Sequence, residues 1–253
     1  MHLKSPKKKS NWPKLCYYGK LQSPINLDSR FAYAITLPPL KLENFKKMKN
    51  LRICHTGTSV SVNPDICPCL RPKISGCGLN GVFYLDHLYF HWPSEHFLDG
   101  LQYDLEAHFV FVNEKYQNFI EAVKNPLALT VFTVLYTQTT STRSKNFSVL
   151  ANAIKEVWDN PKKTIVAKNE LDFFQFLPYD HENFYKYTGS LTTKTEGCIE
   201  YVNWIVLKNI ANIGILDLKN LSHIMDSHGK IVTENNRELQ DLNNRIIYTR
   251  LIL

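Results

Sequence analysis

The chain has 253 residues, of which 44% are hydrophobic and 21% charged, a balance that excludes disordered and fibrous classes and favours a globular protein with a sizeable core. No apolar run approaches the roughly 18 residues that a spanning helix needs, so we expect no membrane span. The formal net charge of +7 is concentrated at the start, where residues 1–20 hold six lysines and no acidic residue. We therefore predict a basic flexible tail at 1–11, one near-neutral domain at 12–253, and no nucleic-acid binding, which would need a basic patch on the folded body.

The remaining chain is dominated by short segments of strand character. Strand-like stretches at 51–63, 82–92 and 101–113 precede helical spacing at 116–124, and a strand at 127–136 precedes a helix at 147–158. A strand at 198–207 and a helix at 217–225 follow. Because no repeat or linker divides the chain, the sequence predicts a single, mainly β domain with a mostly antiparallel sheet and peripheral short helices.

Two of these strands carry histidines on one face. Alternate strand residues point the same way, so His87, Tyr89 and His91 share one face of the first, and Glu106 and His108 share one face of the second. If the strands are neighbours, His91 and His108 could meet at one metal, with Glu106 placed to accept an imidazole hydrogen bond. The alternative, histidines on a half-exposed sheet face, is favoured by spacing alone.

The six cysteines leave several interpretations open. Cys67, Cys69 and Cys77 could be combined with His55 into a zinc site, but the spacing contains no C-x-x-C pair. Their roles, and that of Cys54, are not assigned by the sequence. The first residues are basic, yet no apolar segment of about 7 to 15 residues follows them, so no signal peptide is visible in this chain.

Seven ordered motifs carry a family resemblance. They are QSPINL at 22–27, HTG at 55–57, SG at 75–76 leading into YFHW at 89–92, SEH at 94–96, EAH at 106–108, YTGSLTT at 187–193, and NR at 236–237 through NNR at 243–245. In this order they resemble the alpha-class carbonic anhydrases, and in particular the carbonic anhydrase-related members that lack a zinc ligand. The resemblance implies one domain with a central twisted sheet of about ten strands and a conical pocket.

The resemblance implies a zinc site that is altered at one position. The family holds zinc with three histidines and leaves a fourth position for water. His91 and His108 match two of the histidines, whereas Tyr89 stands at the third, so zinc is possible but weak or absent. His87 is a poor replacement, because it lies four strand residues from His91, about 13 Å along the backbone.

Other family roles are carried over position by position. Thr192 and Glu95 match the pair that orients the zinc-bound hydroxide, and Glu106 with His87 is expected beside the metal ligands. Thr58 stands where many active members have a proton-shuttling histidine, so that function is lost here. The apolar wall at which carbon dioxide docks corresponds to Val110, Leu129, Leu191, Val202 and Trp204.

These departures lead to a main prediction and two alternatives. The main prediction is a carbonic anhydrase-like protein with lost or strongly reduced CO2 hydration, acting as a binding protein for an unidentified protein partner. The first alternative is a zinc-dependent carbonic anhydrase of low activity that uses His91 and His108 and takes CO2 and bicarbonate. The second is a surface-binding module whose basic tail contacts acidic glycans or anionic membrane.

A disulfide is also implied. Cys16 and Cys198 match the paired cysteines of the extracellular family members, which points to an oxidising compartment and a secreted protein.

Overall fold

The computed structural model describes residues 12–140 and 145–251, and the tail predicted at 1–11 lies outside them. The strands are β1 (Asn26–Leu27), β2 (Tyr33–Ile35), β3 (Leu40–Glu43), β4 (Lys47–Met48), β5 (Leu51–His55), β6 (Val60–Pro64), β7 (Lys73–Gly76), β8 (Phe83–His91), β9 (Phe97–Leu98), β10 (Leu101–Gln102), β11 (Leu105–Asn113), β12 (Leu129–Thr139), β13 (Thr164–Val166), β14 (Leu171–Asp172), β15 (Phe184–Ser190), β16 (Glu200–Leu207), β17 (Ala211–Gly214) and β18 (Tyr248–Arg250). The helices are α1 (Leu15–Tyr18), α2 (Phe119–Ala122), α3 (Lys145–Ile154) and α4 (Ile215–Leu221), and 3-10 turns lie at Ser29–Phe31, Pro68–Leu70 and Phe173–Phe176.

A large mixed sheet organises the described part of the chain. Its main path runs β13-β5-β6-β8-β11-β12-β16-β15-β18-β2, ten strands in order. Parallel pairing joins β12 to β16 and to β17, and β18 to β2, whereas the other described pairs of this sheet are antiparallel. The mainly β fold, the number of strands and the predominance of antiparallel pairing confirm the prediction.

The two faces of this sheet pack into separate apolar clusters. Leu88 and Phe90 of β8 belong to one cluster, which α3 and α4 cover through Phe147 and Leu221. Tyr89, between them in sequence, belongs to the other cluster. This division follows from the alternation of side chains along a strand, and it places His87, Tyr89 and His91 on the face opposite to the helices.

Some predicted elements are shorter or divided. The segment 51–63 is a hairpin, because Gly57 adopts φ +100° and the Thr56 N–H donates to the Ser59 carbonyl at 2.9 Å. Helix α2 begins only at Phe119, where the Asn118 side chain caps the helix by accepting a hydrogen bond from the Glu121 N–H. Of the helices in the described ranges, none is long and apolar enough to cross a membrane.

The disulfide implied by the resemblance is present. Cys16 in α1 is bonded to Cys198, across a sequence separation of 182 residues. Both cysteines are buried, and Cys198 follows the loop that begins at Thr192 and Thr193. The bond therefore ties the N-terminal segment of the described chain to this loop.

Candidate metal centre and pocket

A cavity of about 500 Å³ opens on the face of β8 that carries the histidines. Its walls come from β8, the β5–β6 hairpin, the loop after β15 and the segment 234–237. The lining residues are Trp12, Thr56, Thr58, Ser59, Ser61, His87, Tyr89, His91, Thr192, Thr193, Lys194, Thr195, Glu196, Glu234, Asn235, Asn236 and Arg237. The cavity therefore has histidines and a tyrosine at one wall and mostly hydroxyl and amide side chains around them.

Strand pairing brings the two predicted ligands together, with His91 at this wall and His108 buried beside it. In the register of β8 and β11, Tyr89 lies opposite His108 and His91 lies opposite Glu106. The ring centroids of His91 and His108 are 4.8 Å apart, and both side chains are buried. The alternative of a half-exposed histidine face does not describe these two residues.

The hydrogen bonds of His91 and His108 determine which nitrogen of each ring carries no proton. His91 Nδ1 donates to the Asn235 carbonyl at 3.0 Å, and His108 Nε2 donates to Glu106 Oε1 at 2.6 Å. His91 Nε2 and His108 Nδ1 therefore carry free lone pairs, and neither has a partner among the described residues. Burial lowers the pKa of both rings, that of His91 to about 4, so both are neutral near pH 7. A neutral imidazole with one fixed tautomer is the form that binds metals.

Glu106 holds the neighbouring groups in place. Its Oε2 accepts the backbone N–H of Glu95 and of His96, each at 2.7 Å, and its Oε1 accepts from the rings of His96 and His108, each at 2.6 Å. Burial alone would raise the pKa of this carboxyl, but the two imidazoles outweigh burial and hold it well below its usual value. Glu106 is therefore an ionised carboxylate that connects Glu95, His96 and His108 through its hydrogen bonds.

Glu95 is a second buried carboxyl group, and its surroundings differ from those of Glu106. Its Oε1 accepts a hydrogen bond from the backbone N–H of Arg237 at 2.8 Å, whereas its Oε2 lies 3.4 Å from His91 Nε2 and has no hydrogen-bond partner in the described chain. Burial raises the pKa of Glu95 to about 7, with the negative charge of Glu106 adding to the effect. The Thr192 hydroxyl lies beside Glu95 but forms no hydrogen bond of good geometry with the described residues.

Tyr89 lies beside both histidines, and the three rings form a triangle. Its ring centroid is 5.2 Å from that of His91 and 5.1 Å from that of His108, and only 6% of the residue is exposed. The phenolic oxygen has no hydrogen-bond partner among the described residues. Burial, then the charges of Glu196 and Glu95, raise the pKa of Tyr89 well above its usual value, so the phenol is neutral.

His87 is separated from the other two histidines by Tyr89. Its ring stacks on the Tyr89 ring at 5.5 Å, and its Nδ1 lies 2.8 Å from Asp86 Oδ2. The pairing of β8 with β11 shifts register between Val110 and Phe111, so β8 is irregular near His87. Despite this irregularity, His87 belongs to neither of the potential metal-binding groups of the described residues.

The predicted carbon dioxide wall lies behind the cavity. Its members share an apolar cluster with Tyr89 and are all buried: Val110, Leu129, Leu191, Val202 and Trp204. Among the described residues, Tyr89 is the member of this cluster that also lines the cavity. Thr58 lines the cavity too, at the end of the hairpin turn, and its carbonyl accepts from Asn235 Nδ2 at 2.9 Å.

Sequence reasoning missed several residues that build this site. Asn235 fixes His91 through its carbonyl and also accepts the Trp92 N–H on Oδ1 at 2.8 Å. His96 Nε2 accepts from the Tyr187 hydroxyl at 2.7 Å, which extends the network beneath Glu106. Asn235 adjoins the NR motif at 236–237 and His96 lies in the SEH motif, but nothing in the sequence indicates their partners. The resemblance implied that Glu95 lies near the zinc-bound hydroxide, but it did not indicate the direct approach of Glu95 to His91.

The fold and this pocket define a β-sheet protein with a buried imidazole and carboxylate centre, and comparison with known proteins supplies the family. The sequence model of the eukaryotic-type carbonic anhydrases matches residues 7–251. Carbonic anhydrase 6 of Mus musculus is 28% identical over 240 residues, covering 90% of this chain and 73% of the relative. Carbonic anhydrase 15 of Mus musculus is 29% identical, with 90% and 75% covered, and a carbonic anhydrase of Pectobacterium carotovorum is 29% identical, with 92% and 81% covered. The chain belongs to the eukaryotic-type carbonic anhydrase family.

The family normally binds zinc, and the residues of this chain fit that ion only in part. His91 Nε2 and His108 Nδ1 are unpartnered, bare and aimed into one buried space, as zinc ligands require. The third histidine is absent, and the neutral phenol of Tyr89 is a poor donor in its place. A set of His91, His108 and Glu95 has its ligand atoms within 4.8 Å of one another.

Proposed function

We propose that this member of the carbonic anhydrase family has lost efficient CO2 hydration and acts as a binding protein for a protein partner. The observation that carries the proposal is Tyr89, a buried neutral phenol in ring contact with both His91 and His108. In an active site of this family the metal ion would acidify a water molecule and supply the nucleophile for CO2. With Tyr89 in place, only His91 and His108 of the three-histidine set are present to hold that ion.

The position of Tyr89 also supports a loss of substrate access. Its ring belongs to the same cluster as Val110, Leu191 and Trp204, the residues that we expect to form the carbon dioxide wall. Tyr89 is the described member of this cluster that lines the cavity, so we propose that its ring separates the wall from the open space. A carbon dioxide molecule docked at the wall would have to displace this ring.

Proton transfer is weakened as well. Thr58, which lines the cavity, cannot titrate near neutral pH and cannot carry protons to solvent. Thr192 and Glu95 stay adjacent, and we propose that they are the remnant of the pair that orients the nucleophile. Their presence alone does not supply the missing ligand.

The experiment compares CO2 hydration by the unmodified protein with that by Tyr89→His, each at a known zinc content. We expect negligible hydration by the unmodified protein and a rate at least ~10-fold higher for Tyr89→His, a difference of about 1.4 kcal/mol in barrier. Tyr89→Phe is the matched control, because it removes the hydroxyl without adding a ligand and should not gain activity. Hydration by the unmodified protein at rates typical of an efficient carbonic anhydrase would refute the proposal.

The alternative function is a zinc-dependent carbonic anhydrase of low activity. The two bare histidine nitrogens and the adjacent Thr192 and Glu95 favour it. A slow hydration rate that a chelator abolishes and zinc restores would support this alternative. CO2 and bicarbonate would then be the ligands of the pocket.

We propose an extracellular location for the protein. The support is the buried Cys16–Cys198 disulfide, because such bonds persist in oxidising compartments and are rare in the cytosol.

A further inference from the structure

Three unpartnered ligand atoms meet in the buried space beside Tyr89. They are His91 Nε2, His108 Nδ1 and Glu95 Oε2, which lie within 4.8 Å of one another and have no hydrogen-bond partner among the described residues. The three residues are 4%, 0% and 1% exposed. Buried polar atoms are nearly always satisfied, so an unsatisfied set of this kind calls for a ligand that the three atoms share.

The distances match one small cation. Two ligands of a tetrahedral zinc ion, each at about 2.0 to 2.2 Å from the metal, are about 3.3 Å apart. Glu95 Oε2 and His91 Nε2 are 3.4 Å apart. The ligand atom of His108 lies within 4.8 Å of those of His91 and Glu95, so side-chain adjustment on binding would complete the set.

We propose that Glu95 replaces the missing histidine and that His91, His108 and Glu95 together bind a divalent metal ion, with zinc as the expected metal. Two neutral imidazoles and one carboxylate form a known zinc donor set. They leave one of the two positive charges of the ion uncompensated, and ionised Glu106 lies directly beneath the site, hydrogen-bonded to His108.

The anchoring of Glu95 suits this role. Its Oε1 is held by the Arg237 N–H at 2.8 Å, and its own backbone N–H donates to Glu106 at 2.7 Å. The carboxylate is therefore fixed on one oxygen and free on the other, which is the arrangement for binding an ion through a single atom. Glu95 lies in the segment after β8, whereas His91 and His108 lie in β8 and β11 themselves.

This inference deepens the proposed function and rests on it for the loss of the third histidine. A carboxylate that binds the ion through Oε2 is a ligand of the metal and no longer a separate acceptor that orients a metal-bound water through Thr192. Metal binding would then change the role of the pair that we assign to orienting the nucleophile. Metal content and CO2 hydration become separable properties of this site.

The test is zinc affinity, measured on the full chain after removal of metals, by competition with a chromophoric chelator. We expect Glu95→Gln to weaken zinc binding by more than ~100-fold, beyond the ~10–100-fold loss that follows removal of an outer hydrogen-bond partner. Glu234→Gln, the same chemical change at an exposed residue that lines the neighbouring cavity, should leave the affinity unchanged. Equal affinities of the unmodified protein and Glu95→Gln would overturn the inference.

A second measurement uses the unmodified protein and so does not depend on the folding of a variant. X-ray absorption of the unmodified protein loaded with zinc should fit two imidazoles plus oxygen ligands, and a fit to three imidazoles or to none would overturn the inference. In a Tyr89→His background, Glu95→Gln should no longer weaken zinc binding, because the third histidine takes the position. If the unmodified protein binds no zinc, this inference is refuted and the proposed loss of hydration still stands. If the unmodified protein hydrates CO2 rapidly, only the proposed loss of hydration is refuted.

Discussion

Glu95 and Glu106 carry the same functional group in opposite surroundings. Glu106 accepts four hydrogen bonds and its pKa is held well below the usual value despite burial. Glu95 accepts one, on Oε1, and burial raises its pKa to about 7. Because a buried charge is stable only when it is paired or hydrogen-bonded, the two carboxyls contribute to folding in opposite directions.

We predict that Glu106→Gln lowers the free energy of unfolding of the metal-free protein by about 3 to 5 kcal/mol, the cost of breaking a buried ionic network. The amide would place an N–H group against donors that the carboxylate now satisfies. The matched change Glu95→Gln should cost less than half as much, because Oε2 of Glu95 has no partner in the described chain. Urea denaturation of the three proteins measures the difference, and equal losses would contradict this interpretation.

Strand β8 is the element that divides core from pocket. Phe90 packs against Phe147 and Phe176, with ring centroids 6.2 and 6.3 Å away, whereas neighbouring Tyr89 faces the cavity. The alternation of residues predicted this division from the sequence alone, because a strand has only two faces. The parallel pairing of β12 with β16 and β17 could not be predicted in this way, since it depends on contacts between segments far apart in the chain.

The site was predictable to a similar extent. The motifs placed His91, His108 and Tyr89, and strand register then brought them together. The approach of Glu95 to His91 was not predictable, because it depends on how the segment after β8 turns back and is held by the Arg237 N–H. Side-chain partners set by such loops have no periodicity in the sequence.

We predict opposite effects for two adjacent substitutions in β8. Phe90→Ala should lower the free energy of unfolding by about 3 to 5 kcal/mol, because it opens a cavity beside the rings of Phe147 and Phe176. Tyr89→Phe should leave stability unchanged or raise it by up to ~1 kcal/mol, since the lost hydroxyl is buried without a partner in the described chain. Chemical denaturation tests both, and a large loss for Tyr89→Phe would mean that its hydroxyl is bonded in solution.

At the scale of the whole molecule, the Cys16–Cys198 bond closes residues 16–198 into one loop. The separation of 182 residues makes the reduction of unfolded-state entropy large, about 5 kcal/mol in the chain-entropy model, although measured effects are typically ~2 to 4 kcal/mol. The bond also borders the pocket, because Arg237 donates to the Cys16 carbonyl at 2.7 Å and lines the cavity. Stability of the fold and order at the cavity mouth are therefore linked.

We predict that replacing Cys16 and Cys198 by serine lowers the free energy of unfolding by about 2 to 5 kcal/mol. The matched control is the double replacement by serine of Cys67 and Cys69, which are exposed and form no disulfide, and this change should leave stability unchanged. Alkylation verifies the starting state: the native protein should react at Cys67 and Cys69 but not at Cys77, because burial raises the pKa of that thiol to about 12. Denaturation without reductant should expose four thiols and denaturation with reductant six. Six thiols without reductant, or equal stability of the two double variants, would contradict a structural role for the bond.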